Sequence, residues 1–223
     1  ATAVQVVVNA SAVNDAPTLT TISTISGGTE DTFKEITYTE LAAASNAADV
    51  EGDTLSFRIE SVSAGTLEKW NLGTSSWDAV VAGTTLISSG EKVHWKGAQD
   101  ANGNLNAFTV KAWDGALASD TAVQVVINAS AVNDAPTATN LSAAETYTED
   151  TSLNLTDIVT SDVDSDTLTV TLTLSDATVG SLSVGTSNAV TSTFDAGTGV
   201  WTASGAKADV NALLAGVVFT PTL

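Results

Sequence analysis

A seventeen-residue segment occurs twice in this chain of 223 residues. Residues 2–18 read TAVQVVVNASAVNDAPT and residues 121–137 read TAVQVVINASAVNDAPT, so only Val8 against Ile127 differs across an offset of 119 residues. Sixteen identities in seventeen exclude chance, and a repeat at this period means tandem structural units. A second marker keeps the same offset: Thr29-Glu30-Asp31-Thr32 and Thr148-Glu149-Asp150-Thr151. A third keeps its order while the offset slips to 113: Asp49-Val50-Glu51-Gly52-Asp53-Thr54-Leu55 and Asp162-Val163-Asp164-Ser165-Asp166-Thr167-Leu168. Unit lengths thus diverge in loops while marker order is held. The expected organisation is a final strand and linker of a preceding repeat over 1–16, a full repeat over 17–135, and a second repeat over 136–223 without its last strands. Pro17 and Pro136 set these boundaries, because a fixed φ helps the chain leave one unit and enter the next. The chain reads as a piece of something longer.

Between the markers the pattern is that of strands. Val4 to Val8, Leu55 to Ile59, Val93 to Trp95, Phe108 to Trp113, Val123 to Ile127 and Leu168 to Leu174 are short, rich in Val, Thr and aromatics, and bounded by turn residues. Leu168, Val170, Leu172 and Leu174 alternate with threonines, the period of a half-buried sheet. Two stretches, Glu40 to Ala48 and Ala206 to Ala215, carry helical composition and are expected as short excursions. The fold class is therefore all-β, with two-sheet Greek-key sandwiches in tandem. Val217 to Pro221 matches the Lys92 to Lys96 region in order and pattern; after that point the first unit has two more strands and the second has none. Exposed sheet edges are expected at both ends, where copies of the chain could pair head to tail by strand addition. Trp95 and Trp113 are expected in the core.

Composition narrows the function classes. Twenty-six acidic against seven basic residues give a net charge of -19, which excludes electrostatic capture of nucleic acid or of an anionic membrane surface. No apolar run reaches the length of about 18 residues that membrane insertion requires. Cysteine is absent, so neither disulfides nor thiolate chemistry are available. His94 is the only histidine, and with no partner for a nucleophile or a metal pair the chain is not expected to be an enzyme.

The chemistry lies in the acidic markers. Carboxylates spaced every second residue repel one another, and no lysine or arginine lies within either cluster, Asp49-Glu51-Asp53 or Asp162-Asp164-Asp166. A hard cation with six to eight oxygen ligands would relieve this, and Ca²⁺ suits irregular loop ligands better than Mg²⁺. The clusters are not EF-hands: the sixth loop position holds Thr54 or Thr167 rather than Gly. Ligands must then converge from separate loops and a linker.

The ordered set Val13-Asn14-Asp15-Ala16-Pro17, Thr29-Glu30-Asp31-Thr32, Asp49-Val50-Glu51-Gly52-Asp53, Phe108 to Gly115 and Val132-Asn133-Asp134-Ala135-Pro136 resembles the cadherin-like tandem repeats of large bacterial surface and secreted proteins, including adhesins. The resemblance spans nearly the whole chain. It implies immunoglobulin-like, cadherin-like sandwiches in a long extracellular array, calcium at the junctions, and a role in cell adhesion or biofilm matrix. It also implies ligand roles: Glu30, Asp100, Asn133, Asp134, Asp162 and Asp164 for one junction, Asn14, Asp15, Asp49 and Glu51 for half of an upstream one, and Glu149 for a downstream one. Ala131 stands where the family carries an acid. Expected partners are neighbouring repeats or head-to-tail copies. A second reading is a polysaccharide-binding module in which Trp70 and Trp77, flanking the turn at Asn71-Leu72-Gly73, contact cell-surface or matrix glycans; a third is a subunit of a strand-exchange filament.

Overall fold

The computed structural model describes residues 3–11, 13–142, 144–146 and 148–222. The chain is mostly β, with several sheets, and divides into two compact units between Val132 and Asn133.

The first unit contains β1 (Ile25–Thr29), β2 (Lys34–Thr37), α1 (Tyr38–Ala44), β3 (Ser56–Val62), β4 (Thr66–Asn71), β5 (Ser76–Ala79), β6 (Leu86–Ile87), β7 (Lys92–Lys96), β8 (Gly103–Trp113) and β9 (Val123–Ser130). They form two sheets, ordered β1-β9-β8-β3-β6 and β2-β7-β4-β5. Only the β1–β9 pair is parallel. The period-2 alternation places Phe57 and Ile59 of β3, Val110 of β8 and Val125 and Ile127 of β9 in one core with Ile36, Leu67, Val93 and Trp95 of the other sheet. The indole N–H of Trp95 donates to the Ala64 carbonyl at 2.7 Å, so its polar end is satisfied inside. Helix α1 starts where the Thr37 hydroxyl accepts the Glu40 N–H, and it buries Leu41 against the core.

The second unit contains β10 (Thr137–Ala138), β11 (Leu153–Asn154), β12 (Thr160–Ser161), β13 (Thr167–Thr173), β14 (Gly180–Leu182), β15 (Thr186–Ser187), β16 (Val190–Thr191), β17 (Thr193–Asp195), β18 (Val200–Ala206), α2 (Lys207–Leu214) and β19 (Val218–Pro221). Its core gathers Leu182, Val190, Trp201, Val210, Leu213, Leu214 and Val217. The order β11-β19-β14 matches β2-β7-β4, and the antiparallel β13–β18 pair matches β3–β6. Among the described residues no strand takes the places of β8 and β9, and β13 is an edge.

Each expected helical stretch holds a helix, but α1 starts earlier and ends at Ala44, with Ser45 and Ala48 in bridges instead, while α2 spans most of its stretch. Two expectations are corrected. The described residues of the segment around Val4 to Val8 lie in no strand, and Val4, Val6, Val7 and Val8 are all more than three-quarters exposed; a strand without a neighbour has no partner for its backbone groups. Ala1, Thr2 and Ala12 of that segment lie outside the described residues. Trp113 is half-buried at the end of β8, with the Arg58 guanidinium 5.0 Å above its ring, whereas Trp95 is buried.

Truncating Phe57 to Ala is expected to destabilise the first unit by about 3–5 kcal/mol in denaturant unfolding, whereas Val62→Ala, on the exposed end of the same strand, is expected to change it by under about 1 kcal/mol.

Candidate metal centre

Glu30 follows β1 and is almost fully buried. The parallel pairing carries its N–H to the Ser130 carbonyl at 3.0 Å. Its carboxylate then accepts the Val132 N–H on Oε1 and the Asn102 side-chain amide on Oε2, the latter at 2.9 Å. These donors, Val132 first and Asn102 next, hold the Glu30 carboxyl below the usual carboxylate range against the opposing effect of burial. Asp31 adopts a left-handed turn at φ 57° and accepts the Asp100 N–H at 3.1 Å; Asp100 is itself left-handed at φ 58°. Aspartate tolerates this region because its short polar side chain bonds locally. The two side chains bring carboxylate oxygens within 4.8 Å of each other.

In the second unit the Asp134 N–H donates to Asp164 Oδ2 at 2.6 Å, and the N–H groups of Asp164 and Ser165 donate to Oδ1 of the buried Asp162 at 2.9 and 2.7 Å. Asp134 and Asp164 also bring carboxylate oxygens within 4.8 Å. Lys207 Nζ donates to the carbonyls of Asp162 and Ser165 at 2.6 and 3.2 Å, clamping the loop through its backbone. Asp166 and Glu149 are exposed. Asp150 repeats the left-handed turn of Asp31, at φ 64°.

The same arrangement recurs near the start of the chain, entirely within the first unit. The Asp15 N–H donates to Glu51 at 3.3 Å, as Asp134 does to Asp164, and the Asn14 amide reaches the Asp15 carbonyl as Asn133 reaches that of Asp134. Asn14 also donates to Asp114 Oδ2 at 2.9 Å. Asp114 is held below the usual range by the N–H of Leu117, then by Asn14 and the N–H of Ala116. Asp53 is exposed, and its N–H donates to Asp49 Oδ1 at 3.0 Å. The other oxygen, Asp49 Oδ2, is buried with no hydrogen-bond partner.

An orphaned buried carboxylate oxygen amid acids and amides, with neither sulfur nor imidazole nearby, is the donor set of a hard cation. The ion pairs among the described residues lie elsewhere: Lys34–Glu40, Arg58–Glu60, Lys69–Glu91, Lys92–Glu35 and His94–Glu68. The acidic groups of the markers could hold a metal ion.

Sequence reasoning singled out Asp31 and Asp114 only as parts of motifs and passed over Asn102 and Lys207. Recurrence of Asp31 as Asp150 was an available signal; the other contacts join residues far apart in the chain. Trp70 and Trp77 face each other across the β4–β5 hairpin at 5.1 Å, edge to face. Trp77 stacks on His94 at 3.6 Å and Phe33 stacks on the same imidazole at 3.9 Å, so one face of Trp77 is committed to this ladder. Lys92 lies 5.4 Å from Trp70 and 5.6 Å from Trp77.

Comparison with models of known protein families, with curated proteins and with solved structures finds no match.

Because the Glu30 pKa is lowered on folding, the unfolded chain takes up its proton first on acidification. The stabilisation is complete above the unfolded value of about 4.3 and disappears as pH falls through the lower folded value. Glu30→Gln is expected to flatten the acid limb of a plot of melting temperature against pH, leaving its neutral region far less changed in slope.

Proposed function

We propose that the chain is a pair of extender repeats from a large extracellular adhesin or matrix protein, with linkers stiffened by calcium. The observation that carries this reading is the repetition of one linker arrangement at two places, Asp15 on Glu51 and Asp134 on Asp164, with an unpartnered Asp49 oxygen buried at the first. A surface that was merely acidic and solvated would leave that oxygen in water or give it a donor.

The choice of ion follows from the ligands. Every candidate is a carboxylate, amide or backbone oxygen on a loop, and calcium accepts six to eight such oxygens in irregular geometry, whereas magnesium demands a near-ideal octahedron. Zinc would call for imidazole or thiolate ligands, and the chain has one histidine, already bonded to Glu68 at 2.7 Å, and no cysteine. Asn14, Asp15, Asp49 and Glu51 would serve one ion site, with Asp114 added by the structure. Within the second unit, Asp134, Asp162 and Asp164 would serve another; Glu30, Asp31 and Asp100 are candidate ligands of the first unit.

The linker is short by covalent connection: Val132 is bonded to Glu30, and Asp134, two residues on, is bonded to Asp164. Without an ion, the carboxylates gathered at each linker marker repel one another; with one, they share a charge centre and the loops that carry them lose freedom. A Kd of about 10⁻⁴ to 10⁻³ M matches extracellular calcium. No helix among the described residues is long and apolar enough to cross a membrane.

Calcium at ten to a hundredfold over its Kd is expected to stabilise the chain by about 1–3 kcal/mol, read as a rise in melting temperature that chelator reverses. Asp49→Asn is expected to remove the part of this rise that belongs to the first site, and small-angle scattering should show a larger maximum dimension with calcium than with chelator. Identical melting curves in calcium and in chelator would overturn the proposal.

A further inference from the structure

The chain enters the two-sheet body of the first unit ahead of β1 and leaves it after β9, and these two strands are neighbours in one sheet. They are parallel, with Ile25 opposite Ile127 and Thr29 opposite Ser130. In a parallel pair the start of one strand and the end of the other lie at opposite ends, so tension along the chain pulls β1 and β9 past each other lengthwise. The bonds between them are then loaded together. Were the pair antiparallel, the same pull would reach both strands at one end and open the rungs in turn.

Two further features tighten this pair. Gly28 lies opposite Ala129, and a Cβ built on it would sit 3.0 Å from the Asn128 carbonyl oxygen and 3.1 Å from Ile127 Cγ2, so the missing side chain is what lets the two backbones approach. Beyond Thr29 the hold continues through Glu30. Its N–H donates to the Ser130 carbonyl, and its carboxylate accepts the Val132 N–H and the amide of Asn102, the residue before β8. Glu30 is only 3% exposed, which shields these charge-assisted bonds from competing water. Upstream, the entering residues 18–23 are bonded to 44–48, where Thr18 and its partner Ala48 are both exposed. We propose that the β1–β9 pair, locked at its exit end by Glu30, is a mechanical clamp through which the first unit transmits tension along the chain without unfolding. Resistance then depends on direction, high when the entering and departing chain are pulled and low when both strands are pulled from one end. Core contacts far from the pair are still intact when it gives way, so weakening them lowers equilibrium stability but not resistance to force.

The clamp does not depend on calcium, so it is tested in chelator. The chain has no cysteine, and pairs of introduced cysteines serve as handles for single-molecule force spectroscopy on the whole protein. Val13→Cys with Ala135→Cys, both exposed, pulls the first unit lengthwise; Thr32→Cys with Ala131→Cys, exposed just beyond Thr29 and Ser130, pulls β1 and β9 from the same end. At equal tension the lengthwise pair is expected to survive at least roughly tenfold longer. With lengthwise handles, Gly28→Ala and Glu30→Ala are each expected to shorten the lifetime several-fold. Ile87→Val, in β6 at the opposite edge of the same sheet, is expected to lower the melting temperature yet leave the lifetime within about twofold. Equal lifetimes in the two directions would overturn the proposal, and so would a lifetime that neither clamp variant shortens or that Ile87→Val shortens as much. The comparison of directions alters nothing inside the clamp, so it decides the matter even where Gly28→Ala fails to fold.

Discussion

The parallel pairing of β1 with β9 is the contact on which the rest of the first unit depends. Among the described residues β1 pairs with no other strand, so β9 decides whether the start of the unit becomes a strand. The pairing also delivers Glu30 to the Ser130 carbonyl and the Val132 amide, which fixes the departing chain at the point where the first unit ends. Strand, buried acid and linker are one linked construction. In the second unit the described residues of the β1 counterpart, Ala144, Glu145, Thr146 and Thr148, precede the same marker, pair with no strand among the described residues and lie in none. Local sequence proposes a strand, and a partner's backbone hydrogen bonds make it one.

Electrostatics then separates the molecule into two kinds of surface. Four of the seven lysines and arginines form ion pairs away from the markers, and Lys207 meets the acidic loop only through its carbonyls. The marker acids lie on turns and linkers, and Asp31, Asp100 and Asp150 adopt left-handed conformations that aspartate accepts readily. Hydrogen bonds from backbone amides keep Glu30 and Asp114 ionised to lower pH than usual.

Much of this was legible in the sequence because repetition is independent of structure. The all-β class, the short helices, the burial of Trp95 and the recurrence of Asn-Asp and Thr-Glu-Asp-Thr followed from spacing and alternation. What escaped was whatever depends on chain closure. Asn102 meets Glu30 across 72 positions, and Asn14 meets Asp114 across 100, distances over which no local pattern speaks. Trp113 was misjudged because alternation gives a residue its face of the sheet but not its distance from the sheet's end. The failure at Val4 to Val8 has the same root: strand propensity is a property of the segment, whereas pairing is a property of two.

Lys207 opens helix α2, where the helix macrodipole disfavours a cation, so its placement calls for a local compensation, and the carbonyls of Asp162 and Ser165 supply it. The same helix carries Val210, Leu213 and Leu214 into the interior. The acidic turn is thus moored to the hydrophobic interior by its main chain, so its carboxylates need not supply that anchorage. A change of charge on that turn would therefore be felt at the surface while the packing beneath stays in register.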